Sequence, residues 1–413
     1  MSKITKYALS DLYDMSSGLS SKKEQAGHGA PFVSFGTVFN NYFLPEELPD
    51  LMDTNEKEQQ TYSIKAGDVL ITRTSETIDE LAMSCVAVKD YPKATYSGFT
   101  KRLRPKREGI AYPKYMAFYF RSALFRKAVT YNAFMTLRAS FNEDIFTFLD
   151  VYLPDYDEQV RIGDMLYNIE CKIRKNKEIN DYLEEMAKTI YNYWFIQFDF
   201  PDENGKPYKS SGGKMSFCNE LNREIPQNWN YTSIGNITIC LDSERIPLSN
   251  QQREGMKGSI PYYGATGIMD YVNRPIFSGN FVLLAEDGSV MDDNGNPILQ
   301  RVSGDVWINN HTHVLQPVKG YSCRLLYLLL KDIPVSIIKT GSIQMKINQA
   351  NLNNYNILSI PDAIRTQFIN CVEPLDTKIM QIQQENNNLI QFRDWLLPML
   401  MNGQATIEDC CDK

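Results

Sequence analysis

The chain holds only three histidines in 413 residues, His28, His311 and His313. His311-Thr312-His313 has the spacing that puts alternate side chains on one face of a strand. Two imidazoles so placed could begin a metal site, but zinc needs further donors, and no third ligand stands nearby in the sequence. Histidines with ordinary hydrogen-bonding roles are the reading that remains. Carboxylate-rich turns fail as calcium loops: with Gly205 at the glycine position the first ligand would be Phe200, and in Asp292–Asn296 it would be Val290. Gly255-Met256-Lys257-Gly258-Ser259 lacks phosphate-loop spacing, and no Gly-x-Gly-x-x-Gly follows a strand. An amino-group DNA methyltransferase would carry Asn/Asp-Pro-Pro-Tyr/Phe, which is absent. Asp202, Glu203 and Lys206 lie in a polar segment without the strand context of a nuclease metal site. The chain is therefore expected to have no reaction, metal or cofactor of its own.

Bulk properties narrow the alternatives. The net charge is −7 and 43% of residues are hydrophobic, enough apolar material for the two or three domains that this length calls for. An acidic total does not advertise a nucleic-acid binder, yet a local patch exists at Thr100–Arg107, TKRLRPKR, followed by Arg121, Arg126 and Lys127. Taken alone, such a run is read as solvated surface. The eight cysteines are scattered without C-x-x-C and are expected to be reduced. No apolar run reaches the ~18 residues of a membrane span and no signal pattern opens the chain, so a cytoplasmic location is expected.

The elements that must position any site centre on Asp157–Trp194, which reads as one long helix. Ile162, Leu166, Ile169, Ile173, Asn176, Asn180, Leu183, Ala187 and Ile190 alternate four- and three-residue steps, the seam of a coiled coil. Residues 363–400 repeat it with Phe368, Val372, Leu375, Ile379, Ile382, Asn386, Leu389, Arg393 and Leu396. Ile379 follows Ile173 by 206 residues, as Leu396 follows Ile190, and Asn180 and Asn386 share one seam position. A seam Asn weakens the contact but penalises wrong registers, so each helix is expected to pair with the other. In an antiparallel pair about 40 Å long, Asn386 should lie opposite Asn176, and Asn180 opposite Ile382.

The rest of the chain repeats as well. Strands are expected at Pro31–Phe39, after the Lys65–Asp68 turn, and through SCVAVKD and FTKRLRP, with a helix at Tyr115–Val129 and an extended run from Phe141 to Pro154. Gly67–Leu70 aligns with Gly279–Val282 and Leu103–Pro105 with Leu315–Pro317, at a separation of 212 residues that also matches Tyr115 to Tyr327. Ile145, Phe148, Val151, Leu153 and Pro154 match Leu352, Tyr355, Leu358, Ile360 and Pro361. Between the copies, Gln197–Gln227 reads as a polar linker with a small hairpin around Asn204-Gly205. The fold class is α+β, a tandem duplication of a mixed α/β domain plus a long helix, the two helices forming an antiparallel coiled coil. The expected divisions are residues 1–154, 155–198, 199–228, 229–361 and 362–402, with a tail at 403–413. Exposed positions do not repeat: Thr72–Ser75 faces Leu284–Asp287, so two copies of one frame carry different surfaces.

This arrangement, together with FPDENGKPYKSSGGKM leading to IPQNW, IPYYGATGIMDYV, SGNFVLLAEDGSV and GSIQMKINQANLNNYNILSIP, resembles the specificity subunits of type I restriction–modification systems over nearly the full length. The resemblance implies that each globular half is a target-recognition domain reading one half of a bipartite, asymmetric sequence in double-stranded DNA. It implies that the helix pair is a ruler that also docks two modification (M) subunits. Those would bring S-adenosylmethionine and adenine methylation, and restriction (R) subunits would add cleavage with ATP and Mg²⁺. Heads about one turn apart can reach the major groove on one face. From residue type and loop position, the DNA contacts are expected at Arg73, Thr74, Lys101, Arg102 and Arg138 in the first domain, and at Tyr263, Arg301, His311, His313 and Lys346 in the second. The alternatives are a self-sufficient restriction or methylation enzyme and a coiled-coil scaffold that binds proteins.

Overall fold

The computed structural model describes residues 4–75, 80–132, 139–341 and 345–407. The chain divides into two compact units, residues 1–176 with 385–413, and residues 177–384. Each unit therefore owns one globular domain and a segment from each long helix.

In the first unit a four-stranded sheet runs in the order Tyr13–Ser17, Thr100–Pro105, Val69–Thr72, Ser84–Val86, and a three-stranded sheet in the order Asp50–Met52, Ala26–Val33, Thr95–Tyr96. Thr5–Ala8 pairs antiparallel with Asp150–Leu153, clasping the start and end of the domain. Helices Pro113–Tyr119 and Ala123–Asn132 cover the first sheet, and Tyr115, Phe118, Phe120 and Phe125 are sealed in the core. The central helix, Tyr156–Tyr191, starts after Pro154, and Asp155 Oδ1 accepts the backbone N–H of Glu158 at 3.0 Å, the usual carboxylate cap. Its Ile162 and Leu166 enter the domain core beside Leu397 and Leu400 of the C-terminal helix, Asp362–Met401. Gly163 allows that docking: a Cβ there would meet the Tyr115 backbone N at 2.7 Å. A mid-helix glycine costs about 1 kcal/mol against alanine, which the close approach offsets.

Within this unit the helix segments run antiparallel. Asn176, 1% exposed, donates from Nδ2 to Asn386 Oδ1 and to Glu385 Oε2, both at 2.8 Å. Asn386 Nδ2 donates in turn to the Ile173 carbonyl at 3.4 Å. Arg393, a seam position, pairs with Glu170 and lies 5.0 Å from the Tyr42 ring. In the second unit Asn180 Nδ2 reaches the Ile379 carbonyl at 3.5 Å while its Oδ1 has no partner. Phe368 is enclosed by Tyr191, Trp194 and Phe195, the last at 4.9 Å between centroids.

The second unit carries a six-stranded sheet in the order Thr238–Cys240, Thr312–Pro317, Phe277–Ala285, Leu299–Ile308, Lys257–Gly264, Gly267–Val272. Its clasp is Asn230–Ser233 with Asn356–Ser359. The ladders show the duplication residue by residue. Met15 faces Leu103 and Cys240 faces Leu315; Val69 faces Leu103 and Val282 faces Leu315; Phe32 runs parallel to Thr95 and Tyr262 to Trp307.

Several sequence expectations are corrected. The counterpart of Val69 is Val282, not Phe281, because the stretch of chain from this strand to its partner residue, Leu103 or Leu315, is one residue shorter in the second unit. Tyr115 is fully buried whereas Tyr327 is half-buried against Arg301 and Arg324, so those two do not match. Pro31–Phe39 is strand only to Val33; Ser34 Oγ then accepts from Thr37 N and caps the short helix Phe35–Asn40. Within 141–154, Asn142 caps a helix at Glu143–Phe148 before the strand begins. Tyr115–Val129 is two helices, with Ser122 turning the chain between them. The polar segment after the central helix is packed: a π-helical turn at Asn192–Ile196 leads to Phe198 and Phe200, both buried, and Phe200 stacks on Trp229 at 4.9 Å. Its hairpin strands are Met215–Cys218 and Arg223–Pro226, and Asn204-Gly205 forms a separate turn with Gly205 at φ +73°.

The Asn176–Asn386 pair gives a direct test. Asn386→Ala leaves a buried amide short of its partner and is expected to cost about 1–3 kcal/mol. Asn176→Leu with Asn386→Leu removes both amides and should be far milder. Urea midpoints of the single and double variants decide: equal losses would show that the amides do not act as a pair.

Candidate nucleic-acid interface

In the first unit Val69–Thr72 is bonded on both sides and delivers Arg73 at its end. Arg73 N donates to the Phe99 carbonyl and Phe141 N donates to the Arg73 carbonyl, both at 2.8 Å, so the backbone is pinned while the side chain is exposed. Lys101 faces Ile71 on the next strand, and its Nζ donates to Ser17 Oγ at 2.9 Å. Burial, and then the positive charge of Arg73, hold the Lys101 ammonium below its ordinary range. Neither cation is paired with a carboxylate among the described residues. Thr74, half-buried, bridges to Ser140 beside them.

Arg102 is a correction. Strand alternation turns it away from Lys101, and it is 9% exposed, donating to the Ser63 carbonyl with its guanidinium 5.5 Å from the Tyr96 ring. It is a packing residue. Arg138 lies outside the described residues.

The same place in the second unit has different chemistry. Glu286 N donates to the His311 carbonyl and Ile347 N to the Glu286 carbonyl, the two backbone bonds of Arg73 repeated. Glu286 thus stands where Arg73 stands, His313 where Lys101 stands, and Asp242 where Ser17 stands. The carboxylate is 8% exposed and held by Arg245 at 2.6 Å and Lys346 at 2.8 Å. His313, 2% exposed, contacts Asp242 Oδ2 through Nδ1 at 2.5 Å and the Ile347 carbonyl through Nε2 at 3.0 Å. Both ring nitrogens face oxygens, an arrangement that favours the protonated ring. Burial alone would lower its pKa, but the Asp242 hydrogen bond and charge outweigh it and raise the value above the ordinary one. The same ion pair, against burial, holds Asp242 below the usual carboxylate range.

Cys240, Asp242 and His313 bring three metal-ligand types within 4.8 Å of one another. They do not fit a metal. Nδ1 is committed as a donor to Asp242, and the Arg245 guanidinium stands 3.4 Å from the same carboxylate oxygen. His311 is exposed and contacts Asp287 at 2.7 Å. Lys346 is exposed beside it, and Tyr263 is half-buried in its strand, its carbonyl accepting from Asn309 N.

Arg301 is the second correction: its side chain is 7% exposed, tied to Glu184 and Asp376 from the two long helices. Burying it there removes it from any exposed reading surface. The structure therefore gathers Arg73, Thr74 and Lys101 in one unit, and His311 and Lys346 around Glu286 in the other; His313 is the third correction, since at 2% exposed and with both ring nitrogens bonded it holds the network together and is not an exposed contact. Sequence reasoning missed Arg245, Asp242 and Ser17. Only a correct strand register could have found them.

Two duplicated α/β domains, each joined to a segment of both long helices and differing in charge at one shared edge, define a two-headed recognition protein. The chain belongs to the type I restriction modification DNA specificity domain family, whose profile matches residues 1–185 and 226–391. It is 25% identical to the type I restriction enzyme MjaIX specificity subunit of Methanocaldococcus jannaschii, over 94% of this chain and 89% of that one. It is 21% identical to the type I restriction enzyme HindI specificity subunit of Haemophilus influenzae, over 90% and 94%. The crystal structure of a type I restriction–modification S subunit from M. genitalium has the same fold, with a TM-score of 0.58 at 14% identity over 97% of this chain and 96% of that one. No helix among the described residues is long and apolar enough to cross a membrane.

The His313–Asp242 pair sets a pH dependence. A raised histidine pKa contributes stability that is complete below the unfolded value near 6.5 and is lost as pH rises through the folded value. The depressed Asp242 contributes above its unfolded value near 3.8 and is lost as pH falls through its folded one. Wild-type chain should therefore lose thermal stability as pH climbs past 6.5. Asp242→Asn should flatten that decline, and an unchanged pH profile would refute the ion pair.

Proposed function

We propose that this chain is the non-catalytic, DNA-reading subunit of a type I restriction–modification complex. Each domain reads one half of a bipartite, asymmetric target. Two M subunits using S-adenosylmethionine would dock on the long helices, and R subunits using ATP and Mg²⁺ would join through the complex.

The observation that carries this reading is the shared edge. One backbone frame presents Arg73 and Lys101 uncompensated in the first unit and a neutralised Glu286–His313–Asp242 network in the second. Burial, and then the charge of Arg73, hold the Lys101 ammonium below its ordinary range, with Glu143 only partly offsetting them, and a DNA phosphate relieves the repulsion between the two cations. Arg73 also has the fork that pairs with guanine in the major groove. The different, internally paired charges at the same place in the second unit suit a reader of a different half-site.

Mapping methylated adenines across the host genome, with and without this gene, tests the reading. One bipartite motif with a fixed unspecific spacer should lose its methylation when the gene is removed. No change, with the methyltransferase present and active, would refute it. On a duplex carrying that motif, Arg73→Ala with Lys101→Ala should weaken binding of the assembled complex and lower the slope of log affinity against log salt by about 2. An unaltered slope would remove these residues from the interface.

A further inference from the structure

The least accessible charge in the second unit is not at the shared edge but at the root of the domain. Arg324, the second residue of the helix Cys323–Lys331, is 0% exposed. Its fork grips Glu184 with Nη1 and Nη2 at 2.5 and 3.0 Å, and its Nε donates to Asp376 at 2.9 Å. Arg301, from the strand Leu299–Ile308, pairs with the same two carboxylates, and both guanidinia lie within 6 Å of the Tyr327 ring, at 5.7 and 5.8 Å. Glu184 belongs to the central helix and Asp376 to the C-terminal helix, while both arginines belong to the domain. The two positive and two negative charges cancel. Against its burial, Arg324 holds Glu184 below the usual carboxylate range, and burial with the charge of Arg324 pushes Arg301 down to about 10.

The first unit is built differently at the same places. Val86 occupies the ladder position of Arg301. Glu170, which precedes Asp376 by 206 residues, is taken by Arg393 of the other helix and not by the domain. Lys114, second in its own helix, reaches Asp164 at 2.7 Å. A two-arginine clamp is thus a property of the second unit. Well-packed apolar side chains would stabilise such a buried site as well or better. What the ionic set adds is direction, because a planar fork held by two carboxylates on two helices accepts one orientation.

We propose that Arg324 is a positioning residue for target recognition, holding the second domain in a single orientation on its two helix segments so that it meets its half-site at one distance along the duplex. This rests on the DNA-reading function above.

The test uses the complete chain with its own methyltransferase in a host without other adenine methylation, mapping methylated sites for wild type, Arg324→Lys, and a quadruple variant, Arg324→Met and Arg301→Met with Glu184→Gln and Asp376→Asn, that leaves no buried arginine without its carboxylates. Lysine keeps the charge and loses the fork; the quadruple variant keeps the volume and loses all four charges. Both are expected to fold and to read the same bases. Methylation of the wild-type motif should fall about tenfold, and sites with a spacer one base pair longer or shorter should appear. If folded Arg324→Lys methylates a single spacer at the wild-type level, the proposal is overturned. It is overturned equally if Arg324→Lys unfolds, since Arg324 would then hold the core together and not an orientation. A folded quadruple variant that methylates a single spacer at the wild-type level overturns it as well. A wild-type chain that directs no bipartite motif would instead refute the DNA-reading function itself.

Discussion

A central strand hydrogen-bonded on both sides has no freedom in where its end is delivered, and the rest of this protein follows from that constraint. Val69–Thr72 and Val282–Ala285 are each held between two neighbours, and the residue after each is fixed by one donated and one accepted backbone bond. Because those bonds involve no side chain, the residue at that point can change from Arg73 to Glu286 without moving the backbone. The frame is thereby separated from the surface it carries. A duplicated frame can then serve two different targets, with each domain altering its edge independently of the other.

Change at the edge still has to meet the cost of burial. Lys101 needs little, since its stem lies along the sheet and its ammonium reaches Ser17 and solvent. Replacing that pair by His313 and Asp242 closes the edge, and a closed edge requires every charge to be matched. Arg245 and Lys346 supply the match to Glu286, and the imidazolium supplies it to Asp242. The negative net charge of the chain fits the same logic: carboxylates are spent within networks, and the exposed cations need only be local.

The helices and the duplication were legible because each leaves a periodic trace in one dimension. The seven-residue pattern marked Ile162, Leu166, Phe368, Val372 and Ile379, all buried, and the shared asparagine pointed to an Asn176–Asn386 contact whose amides lie 2.8 Å apart. What the sequence could not provide was the facing of single residues near strand ends. Lys101 and Arg102 are adjacent and both cationic, yet pleating leaves one half-buried with its ammonium at Ser17 and buries the other against Tyr96. Arg301 and Arg73 each follow a polar strand residue, Gln300 and Thr72, and only the third dimension shows that one meets Glu184 while the other meets solvent. A net difference of one residue between the central strand and its Leu103 or Leu315 partner was enough to misalign the whole central strand of the second domain, and with it the identity of the residue equivalent to Arg73.

That sensitivity to register bears on how recognition is divided between the two units. At the edge, a substitution changes which group is presented, as Glu286 in place of Arg73 does, and leaves the ladder intact. At the root, Arg324 and Arg301 tie one domain to both helix segments of its unit, and on the positioning role proposed for Arg324 a substitution there changes the angle at which the whole edge is presented. In the proposed function, base identity falls to the exposed edge, variable in charge, and base position to the buried root, constrained to balance. A protein so organised would acquire a new half-site through its edge without disturbing where the half-site is sought.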